Sequence, residues 1–161
     1  MDIRHDDLLG PEIRALLEVH LRDMRSISPP GSVHALDLAA LRGPDITFWT
    51  AWSGPDLLGC GALKELDARH GEIKSMRTVE AHRGKGVAQA LLRQILREAE
   101  SRGYLRLSLE TGSQAAFEPA RRLYAGFGFA FCPPFGSYGK DPNSVFMTRH
   151  LEGIPGPENR P

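Results

Sequence analysis

The chain has 161 residues, 41% hydrophobic and 25% charged, with 20 basic and 20 acidic side chains. That is enough chain and enough apolar content for one globular domain with a substantial core. The balanced charge offers no global field toward nucleic acid or an anionic membrane, and no apolar run approaches the roughly 20 residues of a membrane span.

Residues 2–5 can make a short first strand. Gly10-Pro11-Glu12 then opens a helix, with Pro11 suited to its first turn. Ile13, Leu16, Leu17, His20, Leu21 and Met24 recur at helical spacing and predict a face packed on a sheet. Ser28-Pro29-Pro30-Gly31 breaks that helix. Ser32 is placed to cap a second short helix carrying Val33, Leu36, Leu38 and Leu41. This pair is either a plain connector or the wall of a substrate cleft. Residues 45–53 are β-branched and aromatic, a strand. Gly54-Pro55-Asp56 turns the chain, and Leu57 to Leu66 returns as the next strand. Its small residues Gly59, Cys60, Gly61 and Ala62 let another element or a ligand come close. Asp67 to Gly71 turns again, and Glu72 to Val79 is a third long strand.

That strand runs into the stretch that organises the chain, Met76 to Leu92. Arg83, Gly84, Lys85, Gly86, Val87 and Ala88 read as a basic, glycine-rich turn opening a helix. Glycine lets backbone approach a ligand, and a helix N-terminus offers unpaired N–H groups at the positive end of a dipole. Together they make a seat for phosphate, with Arg83 and Lys85 beside it.

In the following helix Val87, Ala88, Leu91, Leu92, Ile95, Leu96 and Ala99 line one face, and Gly103 stops it. Leu105, Leu107 and Leu109 then alternate with Arg106, Ser108 and Glu110 in a strand. The strand–helix–strand unit implies a right-handed crossover and a parallel pair. Thr111 to Ala116 is a loop, and Pro119 fits the first turn of a helix carrying Ala120, Leu123, Tyr124 and Phe127. A short strand at 129–132, an irregular loop at 133–142 and a last strand at 144–151 follow. One domain is expected over 1–151, with a loose Pro/Gly-rich tail at 152–161.

Cys60 and Cys132 lie far apart with no CxxC, which predicts two buried reduced thiols in preference to a disulfide. The six histidines show no ligand spacing, so no metal is expected. Asp2, Asp6 and Asp7 interrupt any N-terminal signal pattern, which points to a cytoplasmic protein.

Arg83-Gly-Lys-Gly-Val-Ala88 matches the R/Q-x-x-G-x-G/A signature of the GNAT acetyltransferases, and the chain resembles that family. Ala120-Arg-Arg-Leu-Tyr-Ala-Gly-Phe-Gly-Phe129 is similar to its second signature, A-x-x-L-Y-x-x-x-G-F. The resemblance covers roughly residues 1–150. Within the family, one bacterial branch is most similar, through Ser28 to His34, Glu110 to Ser113 and Asp141 to Met147. The resemblance implies an α/β fold, a twisted mixed sheet of six to seven strands with helices on both faces. Two neighbouring strands, ending near Thr78 and Glu110, splay apart to hold acetyl-CoA. Its pantetheine arm would pair with backbone of Met76 and Thr78, and its pyrophosphate would take amides from Arg83 to Ala88. Homodimers are frequent among members.

Acetyl transfer to an amine needs a neutral nucleophile, a stabilised oxyanion and help for the leaving thiolate. Tyr124 matches the signature tyrosine that places a phenol near the sulfur. Two glutamates are candidates for the base. Glu72 lies four residues before Met76, and Glu110 ends the strand after the long helix. Backbone N–H between Met76 and Thr78 would polarise the thioester carbonyl. Phe117 stands where many members carry an asparagine that contacts the cofactor, and Ser113 or Gln114 could substitute. His34, Arg77, Ser137 and Tyr138 are candidates for lining the acceptor pocket, Arg77 by pairing with a substrate carboxylate. The acceptor expected is a primary amine of a small molecule or peptide.

Other classes fit less well. A dinucleotide-binding oxidoreductase lacks its third glycine, and a P-loop NTPase lacks GxxxxGK[ST]. An acyl-CoA sensor without catalysis would keep the turn and lose the acid/base residues. Tyr124 with two glutamates argues against it.

Overall fold

The computed structural model describes residues 1–33 and 37–152. His34 and the tail from residue 153 onward lie outside the described residues. Seven strands form one sheet: β1 (Asp2–His5), β2 (Ile46–Ser53), β3 (Asp56–Asp67), β4 (His70–Thr78), β5 (Arg106–Gly112), β6 (Ala130–Cys132) and β7 (Ser144–His150). Their order is β1-β2-β3-β4-β5-β7-β6. Every neighbouring pair is antiparallel except β4 and β5, which the crossover helix makes parallel.

Among the described residues four α-helices accompany the sheet: α1 (Pro11–Ile27), α2 (Leu38–Leu41), α3 (Val87–Ser101) and α4 (Glu118–Gly126). The period of the strands divides the core into two layers. Trp49, Leu58, Leu63 and Ile73 point to the α3 and α4 face, where Leu91, Leu92, Ile95 and Tyr124 meet them. Phe48, Leu57, Cys60 and Ala62 point to the other face, under Ile13, Leu16 and Leu17 of α1 and Leu41 of α2. Among the described residues no helix is long and apolar enough to cross a membrane.

Several local details differ from expectation. The second helix is capped by Asp37, whose carboxylate accepts from the Ala40 amide at 2.8 Å, and not by Ser32. Pro30–Ser32 is a separate 3-10 turn, and the Ser32 hydroxyl donates to Asp141 at 2.5 Å. Leu105 is exposed because it precedes β5, whereas Ser108 is fully buried. A parallel strand covered on both faces has no solvent side for a polar residue, and Ser108 bonds His70 and Thr148 instead.

The feature that most shapes the site is a bulge in β4. Cys60 stands opposite Arg77, and Ala62 opposite Lys74, so three steps on β4 match two on β3. Ser75 takes the extra place with φ +55. The bulge reverses the parity of the strand, so that Lys74 and Arg77 fall on the face of Ala62 and Cys60, the α1 side. The small residues of β3 make room for it. A Cβ on Gly61 would lie 2.5 Å from Met76 Sδ, and one on Gly59 would lie 2.7 Å from the Arg77 carbonyl oxygen.

Candidate active site

The β4–β5 ladder runs only from His70/Arg106 to Ile73/Leu109. Beyond it β4 stays with β3, while Glu110, Thr111 and Gly112 stay with β7. The two strands part, and a cleft of about 780 Å³ opens between them. From Lys74 to Thr78, β4 therefore offers backbone groups to the cleft with no strand on that side.

One end of the cleft is the turn into α3. Gly86 caps the helix with φ +81, and Gly84 has φ +76, both in the left-handed region that glycine tolerates. A Cβ at either would meet open space, so the glycines are required by backbone conformation and leave the approach clear. Ala90 makes the first helical bond, to the Gly86 carbonyl at 3.0 Å. The amides of Val87, Ala88 and Gln89 thus precede any i→i−4 partner. Arg83, Gly84, Gly86, Val87 and Ala88 all line the cleft. Lys85 does not; its ammonium turns back to His82 Nδ1 at 3.2 Å. The donors and the space fit a pyrophosphate, and the free edge of β4 fits an extended amide chain.

Tyr124 of α4 lines the middle of the cleft. Its ring packs edge-on against Phe129, with centroids 5.8 Å apart. Burial raises its pKa above the ordinary phenol value, so the hydroxyl keeps its proton and can donate. Met76 and Thr78 line the cleft as well.

Glu72, Glu110 and Tyr138 come together on the far side of the opening. Glu72 is not a solvated strand-end carboxylate but is 3% exposed. Its Oε2 accepts from the Tyr138 hydroxyl at 2.6 Å and from Lys74 Nζ at 3.2 Å. Lys74 also donates to the Tyr138 oxygen at 3.0 Å. Burial, the charge and hydrogen bond of Glu72, and the charge of Glu110 raise the Tyr138 pKa. Tyr138 is held over the site by aromatic contacts with Phe135 and Phe146.

Arg77 is not an ordinary surface arginine. It lies in the cleft wall and pairs with Asp23 of α1. Beside them His20, which the helical pattern places on the packed face of α1, lines the cleft. Burial and the Arg77 charge pull its pKa down to about 4 against the opposing pull of Asp23, so the ring is neutral at pH 7.

At the other wall Phe117 lines the cleft, its ring over Gly112, where a Cβ would lie 2.1 Å from Phe117 Cδ2. Ser113 and Gln114, the candidates to substitute for the expected asparagine, are not among the residues lining the cleft. They bond Pro142 and Asn143 instead, at 2.6 and 3.2 Å. Arg121 fixes this turn by donating to the carbonyls of Gly112 and Gln114. Ser137 is absent from the lining; Tyr138 is present. Lys74, His20 and Asp23 escaped the sequence reading. The bulge at Ser75 that puts Arg77 on the face of Lys74 has no glycine or proline within β4 beside it, and the Arg77 partner of Asp23 is far away in sequence.

This arrangement of splayed strands, a glycine turn into α3 and a buried phenol defines a class. The profile of the Acetyltransferase (GNAT) family matches residues 13–129, and the chain belongs to that family. It is 63% identical over 151 residues to the uncharacterized N-acetyltransferase YsnE of Bacillus subtilis (strain 168), covering 94% of this chain and 100% of that one. With the uncharacterized N-acetyltransferase YedL of Escherichia coli (strain K12) it shares 50% over 149 residues, 92% of this chain and 94% of the relative. In fold it resembles a GNAT acetyltransferase of Elizabethkingia anophelis solved with acetyl-CoA bound, with TM-score 0.68, 18% identity, and 93% and 97% of the two chains covered. The chain is an N-acetyltransferase.

Proposed function

We propose that this protein moves an acetyl group from acetyl-CoA directly to a primary amine, with Tyr124 and Glu110 as acid and base. The observation that carries the reading is the cleft itself. It joins the glycine turn Gly84 and Gly86 with the first amides of α3 at Val87 and Ala88, a β4 edge from Lys74 to Thr78 that β5 does not cover, and a buried phenol at Tyr124.

Each requirement of the chemistry has a residue to meet it. Amides of Gly84 to Ala88 hold the pyrophosphate, and Arg83 adds charge beside it. The backbone of Met76 and Thr78 pairs with the pantetheine amides. An N–H between Met76 and Thr78 faces the thioester carbonyl and stabilises the charge that develops on its oxygen. The amine nitrogen bonds to the carbonyl carbon and the C–S bond breaks. The nitrogen gives up a proton to Glu110, and the sulfur takes one from Tyr124. Solvent exchange returns both side chains to their starting states, so the step is balanced.

Glu110 is taken as the base because it lies in the stretch most similar to one bacterial branch of the family, and Glu72 Oε2 takes donors from Tyr138 and Lys74. Glu72 then acts as a positioning residue, holding Tyr138 and Lys74 against the acceptor. A reducing, cytoplasmic setting suits the free thiols of Cys60 and Cys132.

The test is purified protein incubated with acetyl-CoA and a panel of amines, amino acids and peptides, following free thiol. The reading predicts acceptor-dependent release. Tight CoA binding with no turnover above blank would make the protein an acyl-CoA sensor instead.

A further inference from the structure

The α1 wall of the cleft carries a polar cluster for which acetyl transfer has no use. Three atoms there are shielded from water and have no hydrogen-bond partner among the described residues: His20 Nδ1, Ser75 Oγ and Arg77 Nε. All three residues line the cleft. Unmet capacity of this kind costs free energy at every site where it persists. Three such atoms on one wall of a ligand cleft point to a ligand group that satisfies them.

Charge selects the group. Arg77 Nε–H and the Ser75 hydroxyl are donors in need of an acceptor. The Arg77 side chain is 13% exposed, a cation drawn into the wall by the β4 bulge, while its partner Asp23 is 40% exposed at the rim. A pair with one member partly in water is screened on that side and can exchange its acidic partner. A guanidinium fork suits a carboxylate, which it can grip through two parallel bonds. His20 sits one helical turn from Asp23 and stays neutral beside Arg77, so it can bond a carboxylate oxygen without taking up a proton.

Distance selects the size. Lys74 and Arg77 face Ala62 and Cys60, two residues apart on β3, so they stand about 7 Å apart along the sheet. Lys74 belongs to the Glu72–Tyr138 group beside Glu110, where the amine must sit. A molecule with an amine at one end and a carboxylate a few bonds away spans that interval.

We propose that the acceptor is an amine that also bears a carboxylate, a small amino acid in the broad sense, and that its carboxylate displaces Asp23 from Arg77 to dock against His20 and Ser75. The proposal rests on the acetyl-transfer reading and adds the chemical class of the acceptor.

Matched acceptors test it, each amino acid assayed beside its own carboxamide in the thiol-release assay. The acid is preferred. Arg77→Gln raises KM for acids about thirtyfold more than KM for amides, the cost of stranding one member of a shielded charge pair. Asp23→Asn removes the competitor and lowers KM for acids more than for amides. Equal KM values for acids and amides, with both variants affecting the two alike, overturn the proposal. A second measurement needs no turnover. The Arg77 Nε–H resonance is followed while N-acetylglycine or N-acetyl-β-alanine is added, with and without CoA, and each is compared with its primary amide. A saturable shift with the acids alone supports the proposal, and no saturable shift with either acid overturns it. Failure of acetyl-CoA itself to bind, measured by thermal shift, instead strikes the acetyl-transfer reading, so the two failures are separable.

Discussion

Gly59→Ala probes how the β3 glycines position the phosphate seat. The added Cβ would lie 2.7 Å from the Arg77 carbonyl oxygen and 2.9 Å from Val87 Cγ1. Against an ordinary contact of 3.4 Å or more, these separations are about 0.7 and 0.5 Å too short. The first obstacle is backbone and cannot swing aside, so β4 or the start of α3 must move. Overpacking of this kind costs about 1–3 kcal/mol. With a urea slope of about 1–3 kcal/mol per M, the midpoint should fall by roughly 1 M. The displaced groups are the free edge of β4 and the amides at Val87, so the KM for acetyl-CoA should rise roughly tenfold, equivalent to about 1.4 kcal/mol. Gly61→Ala is the control. Its Cβ meets Met76 Sδ at 2.5 Å, the far end of a flexible side chain that can turn away. That variant should lose less than about 1 kcal/mol and keep its KM within about twofold. Both are read by urea unfolding and by initial rates against acetyl-CoA. If Gly59→Ala is as mild as Gly61→Ala in both assays, the coupling between β3 and the seat is wrong.

Gly86→Asp puts a carboxylate and a side chain at φ +81 on the seat; KM for acetyl-CoA should rise at least about tenfold, and an unchanged value counts against phosphate binding there. Tyr124→Phe removes the proton donor; kcat should fall about a hundredfold with acetyl-CoA KM nearly constant, and equal turnover takes Tyr124 out of the chemistry. Glu110→Gln should lower kcat about a hundredfold, whereas Glu72→Gln should act mainly on acceptor KM; the reverse pattern assigns the base to Glu72. His20 gives stability a pH dependence. Its folded pKa, about 4, lies below the unfolded 6.5, so between those values only the unfolded chain takes the proton. Stability is full above pH 6.5 and is lost as pH falls toward 4, by on the order of 3 kcal/mol. His20→Gln should flatten that slope in urea titrations across the range, and an unchanged slope removes His20 as its source.

The strand order along the chain, the β4–α3 turn and the two helices that flank β5 were legible because period and glycine placement are local signals. Gly84 and Gly86 sit in one short pattern that ties backbone conformation to chemistry, Tyr124 stands in the family's second signature, and all three line the cleft. The acceptor side was much less legible. Ser75 adopts φ +55 with no turn residue nearby, and the face on which Arg77 lies follows from that single bulge. Tyr138 reaches Glu72 across 66 positions and Arg77 reaches Asp23 across 54, distances no local pattern encodes. His20 fitted the apolar face of α1 by spacing, and only its neighbours give it a polar role. Ser32 ends a separate 3-10 turn, Pro30–Ser32, and Asp37 five residues on is the cap of α2.

A crystal structure with acetyl-CoA bound would show whether the cofactor lies in the opening between β4 and β5. The account predicts pyrophosphate oxygens about 2.7–3.1 Å from main-chain nitrogens between Gly84 and Ala88, with the thioester sulfur beside the Tyr124 hydroxyl and the acetyl group facing Glu110. Phosphates bound elsewhere, or a thioester remote from Tyr124, would contradict it.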